Sequence, residues 1–220
     1  MEGDVAGVLL VYIYVAILFI VTEKILNKYP EISRKVLHIM VGNIAFILPI
    51  FVTNWIMAFI AAGPFIPLTF LMSPYTPIKS IKGRTSAAGH GMGLVYYSIT
   101  WTILAYVFFE DMVVIAIGIL AMSYGDGFAS IIGTRFGKRK YNVFGDQKSY
   151  VGSLSMLIFT FITMIVALYY YEIAITNYLI VVLLFISFVV SVIEGITPKG
   201  LDNLTVPFTA VALYWYFFLM

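Results

Sequence analysis

No charged residue occurs between Val5 and Thr22, between Val151 and Tyr171, or between Tyr178 and Ile193. Each run approaches the roughly 20 apolar residues that a helix needs to cross the hydrocarbon of a bilayer. Lipid offers backbone groups no partner, and a helix satisfies them within its own segment. Only 11% of the chain is charged and 62% is hydrophobic, against roughly 25% charged in soluble domains. No long polar stretch remains for a separate soluble domain. The expected fold is therefore all-α, a polytopic transmembrane helix bundle forming one integral membrane domain over residues 1–220.

About eight spans are expected, at 5–22, 36–52, 55–72, 93–109, 112–133, 151–171, 178–194 and 204–220. The thirteen Lys and Arg residues test that count. Lys24, Lys28, Arg34 and Lys35 lie between spans one and two, and Lys79, Lys82 and Arg84 between three and four. Arg135, Lys138, Arg139, Lys140 and Lys148 lie between five and six, and Lys199 between seven and eight. The alternate connections hold only the acids Glu110, Asp111 and Glu172. All bases then share one side, cytoplasmic by the positive-inside rule, and both termini are outside. Glu2 and Asp4 stand where a signal peptide would need a positive charge. Gly63-Pro64 and Pro67 should break the third span, and Tyr169–Tyr171 and Trp215-Tyr216 read as interfacial belts. Cysteine is absent, which excludes disulfides and thiolate metal sites.

Asp126 stands inside the fifth run. A charged group at the centre of a spanning helix costs roughly 2.5–3.5 kcal/mol on insertion scales, so an idle carboxylate is not expected there. On a helix Asp126, Ser130 and Gly133 share a face at i, i+4 and i+7, which Ser123 and Gly137 extend. A basic, glycine-bearing loop follows at once: Arg135, Gly137, Lys138, Arg139, Lys140, Gly145, Lys148 and Ser149, closing on Gly152. It is similar to phosphate-cradling loops but lacks the spacing of a Walker motif. Upstream, Pro30 suits a first helical turn, after which Arg34, His38 and Gly42 share a face with Lys35 beside them. Interfacial snorkelling alone would account for Arg34 and Lys35, but His38 lies one turn deeper in apolar sequence. Glu194 ends the seventh run, and Asp202 and Asn203 open the eighth, where either could serve as a simple helix cap. His90, in the Ser86–Gly93 loop, receives no role. Carboxylates that hold a hard cation, beside bases that neutralise phosphate oxygens, are the parts phosphoryl transfer requires.

These residues resemble the CTP-dependent polyprenol kinase family, which includes dolichol, phytol and farnesol kinases and a CTP-dependent diacylglycerol kinase. The matching features are Arg34-Lys35-x-x-His38, Asp126-Gly-x-Ala-x-x-x-Gly133 with Gly137-Lys138, and Lys148-Ser149-x-x-Gly152-Ser153. Glu194 and Asp202-Asn203-Leu-Thr-Val-Pro207 complete the series, in the family's order from about residue 30 to 208. Val151 stands where the family usually has Glu, so that residue's role is either vacant here or moved to Asp146. The resemblance implies CTP as donor, Mg2+ or another divalent cation, and a membrane isoprenoid alcohol of the dolichol or polyprenol kind as acceptor. Catalytic residues are then expected at Asp126, Lys35 and His38. Nucleotide contacts are expected at Arg34, Lys35, Ser130, Gly133, Arg135, Gly137, Lys138, Lys148, Ser149 and Gly152. Metal ligands are expected at Asp126, Glu194, Asp202 and Asn203. No nucleic acid partner is implied, and oligomeric state is left open. The site would face the cytoplasm, from the plasma membrane of a prokaryote or the endoplasmic reticulum of a eukaryote.

Two other readings use the same residues. A CTP:lipid-phosphate cytidylyltransferase, of the kind that makes CDP-diacylglycerol or CDP-archaeol, also has an Asp-bearing helix and a Lys-Ser/Thr loop. It usually carries a second Asp four residues after the first, where this chain has Ser130. An ion-coupled transporter would place its site near the midplane of related halves. No repeat is visible, and Asp126 lies roughly 10 Å of helix rise from the end of its run. Single cysteines test the topology without background. Position 139 is expected to label only from the cytoplasmic side and position 110 only from outside; the reverse pattern would overturn the arrangement.

Overall fold

In the first helix the buried residues are Asp4, Gly7, Val11, Val15 and Leu18. Their three- and four-residue spacing makes one inward stripe. Leu9, Ile13, Ile17 and Ile20 on the other side are equally apolar yet about half exposed, the pattern of a helix between protein and lipid. The protein is seen here as a computed structural model that describes residues 1–26, 28–77 and 91–218. Lys79, Lys82, Arg84 and His90 lie outside the described residues.

The chain divides into two compact units, Met1–Met112 and Val113–Met220. The first unit begins with α1 (Glu2–Ile20), which widens into a π-helical turn at Val21–Ile25. α2 (Pro30–Val41) starts on Pro30, as expected of a residue with no N–H to lose, and tightens into 3-10 turns at Gly42–Phe46 and Leu48–Ile50. Ser33 Oγ donates to the Thr22 carbonyl at 2.7 Å, tying α2 to the π turn. A second π segment, Ile56–Ala62, stops at Gly63-Pro64, and α3 (Phe65–Met72) continues beyond it. The break falls where the glycine and proline predict it. α4 (Gly93–Val107) completes the unit. Asp4 is more than a terminal charge: its carboxylate accepts from Val52 N at 3.1 Å, Thr53 N at 2.9 Å and Thr53 Oγ1 at 3.0 Å. It satisfies the backbone where the chain leaves α2's 3-10 extension.

In the second unit α5 (Met112–Leu120) passes through a π segment, Ala121–Asp126, into α6 (Gly127–Phe136). Then come β1 (Lys140–Val143), β2 (Asp146–Ser149), α7 (Tyr150–Tyr170), α8 (Asn177–Ile196) and α9 (Asp202–Phe218). The all-α expectation needs one correction. β1 and β2 pair as an antiparallel hairpin with Val143 opposite Asp146. Phe144 and Gly145 both have positive φ, which is the two-residue turn that matches strand twist. The polar Lys-Tyr-Asn-Val and Asp-Gln-Lys-Ser segments gave too short a pattern to read as strands.

Five helical stretches are long and apolar enough to cross a membrane: Glu2–Ile25, Pro30–Ile50, Met112–Phe136, Tyr150–Tyr170 and Asn177–Ile196. Ile56–Met72 and Gly93–Val107 are apolar but shorter, and α9 carries Pro207 within it. The described parts of the eight expected runs are mainly helical, and five helices reach spanning length among the described residues. Close packing in the second unit depends on small residues. A Cβ on Gly125 would run into Thr160 Oγ1 and stand 2.8 Å from Met156 Sδ. Gly125→Ala is therefore expected to cost about 1–3 kcal/mol through overpacking, measured as a lower Tm in detergent, and adding Thr160→Ala should restore part of it.

Candidate active site

The hairpin aims its side chains by strand alternation. Tyr141, Val143, Asp146 and Lys148 are shielded, while Lys140, Asn142 and Gln147 are exposed. Three contacts fix it in place. Tyr141 Oη lies 2.8 Å from Ser153 Oγ in the first turn of α7. Gly195 in α8 leaves room for that ring, since a Cβ there would sit 2.9 Å from the Tyr141 oxygen. Asp146 Oδ2 accepts from Lys199 N at 2.6 Å, joining the hairpin to the connection between α8 and α9. In that connection Lys199 and Gly200 adopt positive φ, reversing the chain so that Asp202 opens α9 soon after Glu194 closes α8.

Lys148 is thereby delivered to the carboxylates. Its Nζ lies 2.6 Å from Glu194 Oε1 and 3.7 Å from Asp202 Oδ2, and it also donates to the Glu194 carbonyl. Asp126 belongs to the same cluster: one carboxylate oxygen each from Asp126, Glu194 and Asp202 lie within 4.8 Å of one another. The side chains of Lys148, Glu194 and Asp202 are only 12%, 8% and 13% exposed. Burial alone would lower the Lys148 pKa. The charges of Glu194, Asp202 and Asp126 outweigh it and hold the ammonium above its usual range, so it stays charged at neutral pH. Three carboxylates against one ammonium leave an excess of negative charge. All-oxygen donors of this kind fit a hard divalent cation. Asn203, also expected as a ligand, adjoins the cluster: its backbone N and Nδ2 both reach Asp202 Oδ1, at 3.0 and 3.2 Å, and Nδ2 also donates to the Gly200 carbonyl.

Asp126 is the last residue of the π segment. Such wider turns recur at functional sites, and they leave no mark in a 3.6-residue pattern, so the expected alignment of Ser123 with Asp126 does not follow an α-helical count. The glycines after Asp126 are occupied by packing. Ser149 caps α7 by accepting from Gly152 N at 3.1 Å, and its hydroxyl lies 3.4 Å from the Gly133 carbonyl. A Cβ on Gly133 would meet Ser149 Oγ at 2.8 Å and Gly152 Cα at 3.2 Å, and one on Gly137 would collide with Ser149. Gly133, Gly137, Ser149 and Gly152 are thus the seam that lets α6 lie against α7 at the foot of the hairpin. Ser130 is half-buried on α6 and its carbonyl accepts from Thr134 Oγ1. Arg135 and Lys138 are exposed, the Arg135 guanidinium 5.5 Å from the centre of the Phe136 ring. Val151 is 37% exposed on α7, and Asp146, its expected substitute, is engaged with Lys199.

In the first unit Arg34, Lys35 and His38 are half-buried on α2. His38 meets the Tyr97 ring edge-on, with centroids 5.6 Å apart, and lines an apolar cleft with it. Tyr141 was missed by sequence reasoning; nothing local marks it, since its partner Ser153 lies twelve residues on.

Comparison with known proteins finds relatives that align over most of this chain. A phytol kinase of Synechocystis sp. is 32% identical over 203 residues, covering 89% of this chain and 85% of that protein. The chain belongs to the phytol kinase family. A probable phytol kinase 1, chloroplastic, of Glycine max is 32% identical over 205 residues, 85% of this chain and 67% of its own length. Phytol kinase 1, chloroplastic, of Arabidopsis thaliana is 32% identical over 202 residues, covering 82% of this chain and 64% of its own. No family model matches the chain, and no solved structure does. Membership of the phytol kinase family makes the chain a phosphotransferase with an alcohol acceptor.

Removing one member of a buried ion pair leaves its partner's charge uncompensated, at a cost of about 3–5 kcal/mol. Lys148→Met is therefore expected to lower Tm sharply in metal-free buffer. Glu194→Gln added to it should recover much of the loss, which a thermal scan of the single and double variants would measure.

Proposed function

We propose that the protein transfers the γ-phosphoryl group of CTP to the hydroxyl of a membrane isoprenoid alcohol of the phytol or polyprenol class, giving the alkyl monophosphate and CDP. The observation that carries this reading is the meeting of Asp126, Glu194 and Asp202 around Lys148. It supplies, among apolar helices, the charges that phosphoryl transfer needs where a lipid alcohol can arrive through the bilayer. The relatives, which are phytol kinases by name, support phytol as the nearest acceptor, and the motif resemblance supports CTP.

Asp126, Glu194 and Asp202 would hold a divalent cation. That ion, when bound, neutralises charge on the donor's phosphate oxygens. Lys148, on a flexible stem, turns from the carboxylates to the same oxygens as a point charge. Asp126, the one of the three that lies within a helix interior, accepts the hydroxyl proton as the alcohol oxygen bonds to the γ-phosphorus and the bond to the β-phosphate oxygen breaks. Asn203 keeps Asp202 in place. Arg34 and Lys35 are assigned to phosphate and His38 to the acceptor's side, on residue type and spacing. The eight-span topology, with the reaction on the cytoplasmic side, completes the reading.

Purified protein incubated with CTP, magnesium and phytol is expected to release CDP and form phytyl phosphate. Pyrophosphate and a CDP-lipid formed from phosphatidic acid would overturn the reading. Asp126→Asn keeps the shape and removes the charge; it should lower kcat at least a hundredfold with thermal stability retained, in keeping with the size of general-base effects. Near-normal turnover at saturating magnesium would remove Asp126 from the chemistry.

A further inference from the structure

The hairpin that carries Lys148 lies across the helix ends of the second unit. Ser149, at its base, sits in the α6–α7 seam, its hydroxyl 3.4 Å from the Gly133 carbonyl. Lys148 reaches Glu194 near the end of α8 and Asp202 at the start of α9. Asp146 is clasped to the connection between those two helices. The strand ends there, so the turn Phe144-Gly145 projects past the helix ends. Phe144 is 81% exposed, and a Cβ on Gly145 would meet nothing within 4 Å.

The turn does not need a phenylalanine. Phe144 has a φ of +48°, in the left-handed region that bulky residues seldom enter. Asn, Asp or Gly is preferred at that place in a two-residue hairpin turn. Gly145, with a φ of +99°, and Asn142 Oδ1, which accepts from Gly145 N at 2.9 Å, are enough to close the loop. A large aromatic ring is thus held away from the protein at a backbone position that disfavours it. The charges around it have one sign. Arg135, Lys138, Arg139 and Lys140 are exposed, as are the rings of Phe136 and Tyr150. Asp146 is the lone acid in residues 135–150, and it is half-buried and engaged by Lys199 N.

The helical stretches on either side, Met112–Phe136 and Tyr150–Tyr170, are long and apolar enough to cross a membrane. Read as spans, they put the hairpin between them at a membrane surface. Aromatic rings settle at the headgroup level of a bilayer, and Lys and Arg are drawn to anionic lipid. We propose that the hairpin tip docks on an anionic phospholipid surface, with Phe144 at the headgroup level and Arg139 and Lys140 against the lipid charge. A fluid surface asks for no exact register, so the tip needs none of the clasps that hold the rest of the hairpin. The docked tip keeps Lys148 and its carboxylates level with the headgroups. This inference rests on the reading of the flanking helices as spans and is independent of the kinase reading.

The chain has no cysteine. Gln147→Cys, at an exposed position of β2, takes an environment-sensitive fluorophore while Phe144 stays in place. The labelled protein is placed in nanodiscs of phosphatidylcholine, alone or mixed with phosphatidylglycerol, with and without a lipid that carries a nitroxide at its headgroup. Quenching by the nitroxide is expected in the anionic discs and should weaken at high salt, as the charges are screened. Arg139→Gln with Lys140→Gln should lower the ratio of docked to free tip about fivefold per base removed. Phe144→Asn suits the turn, so it should keep or raise Tm in detergent while removing most of the quenching. Quenching equally strong in neutral discs, or unaltered by Phe144→Asn, would overturn the proposal. So would a probe that stays in water in both lipids, the result expected if the bases served the nucleotide or a soluble partner. Protein washed from membranes by alkali would remove the spanning reading and the docking with it. An integral protein with an unquenched probe would remove the docking alone.

Discussion

A single ammonium among three carboxylates organises the second unit. Lys148 comes from a hairpin, Asp126 from the middle of a long helix, Glu194 and Asp202 from two helix ends. None of these charges would be stable so far from water by itself. Their mutual neutralisation is what permits four separate segments to bring them together, and the packing glycines, the N-cap at Ser149 and the clasp between Asp146 and Lys199 all serve that meeting. The residual negative charge is also what gives the cluster an appetite for a divalent cation. Stability and chemistry thus draw on one electrostatic imbalance.

Much of this was legible in the sequence. Helical runs are long, strongly apolar and punctuated by charged connections, so their order and approximate ends could be read directly. Asp126, Lys148, Glu194 and Asp202 were each identifiable because a charge is conspicuous against so apolar a background. Their grouping was supported by motif order, but the geometry of the group was not readable. Lys148 was assigned to phosphate by its chemical type, and only the structure shows its ammonium resting on Glu194.

Other features were hidden for physical reasons. A π turn adds a residue to the helix without altering composition, so the face carrying Asp126 could not be phased from periodicity. The hairpin is four residues a side and mostly polar, too short for alternation to register. Gly133, Gly137 and Gly152, expected as phosphate contacts, also line a tight helix seam, and flexible loops and tight seams favour the same residue. The neighbour that makes the seam tight, the Ser149 side chain, is not visible in the sequence.

The link between Asp146 and the backbone of Lys199 has a further consequence, for chain length. Residues 197–201 separate the last residue of α8 from the first of α9, and their reversal uses two left-handed residues in succession. The clasp pins the middle of that connection to β2. A residue inserted or deleted there would shift Asp202 relative to Glu194, with no slack to absorb the change. The tip at Phe144 and Gly145 carries no such tether: Phe144 is 81% exposed, and a Cβ on Gly145 would meet nothing within 4 Å. Variation in loop length among functional homologues should therefore collect at the hairpin tip, while the α8–α9 connection acts as a fixed spacer.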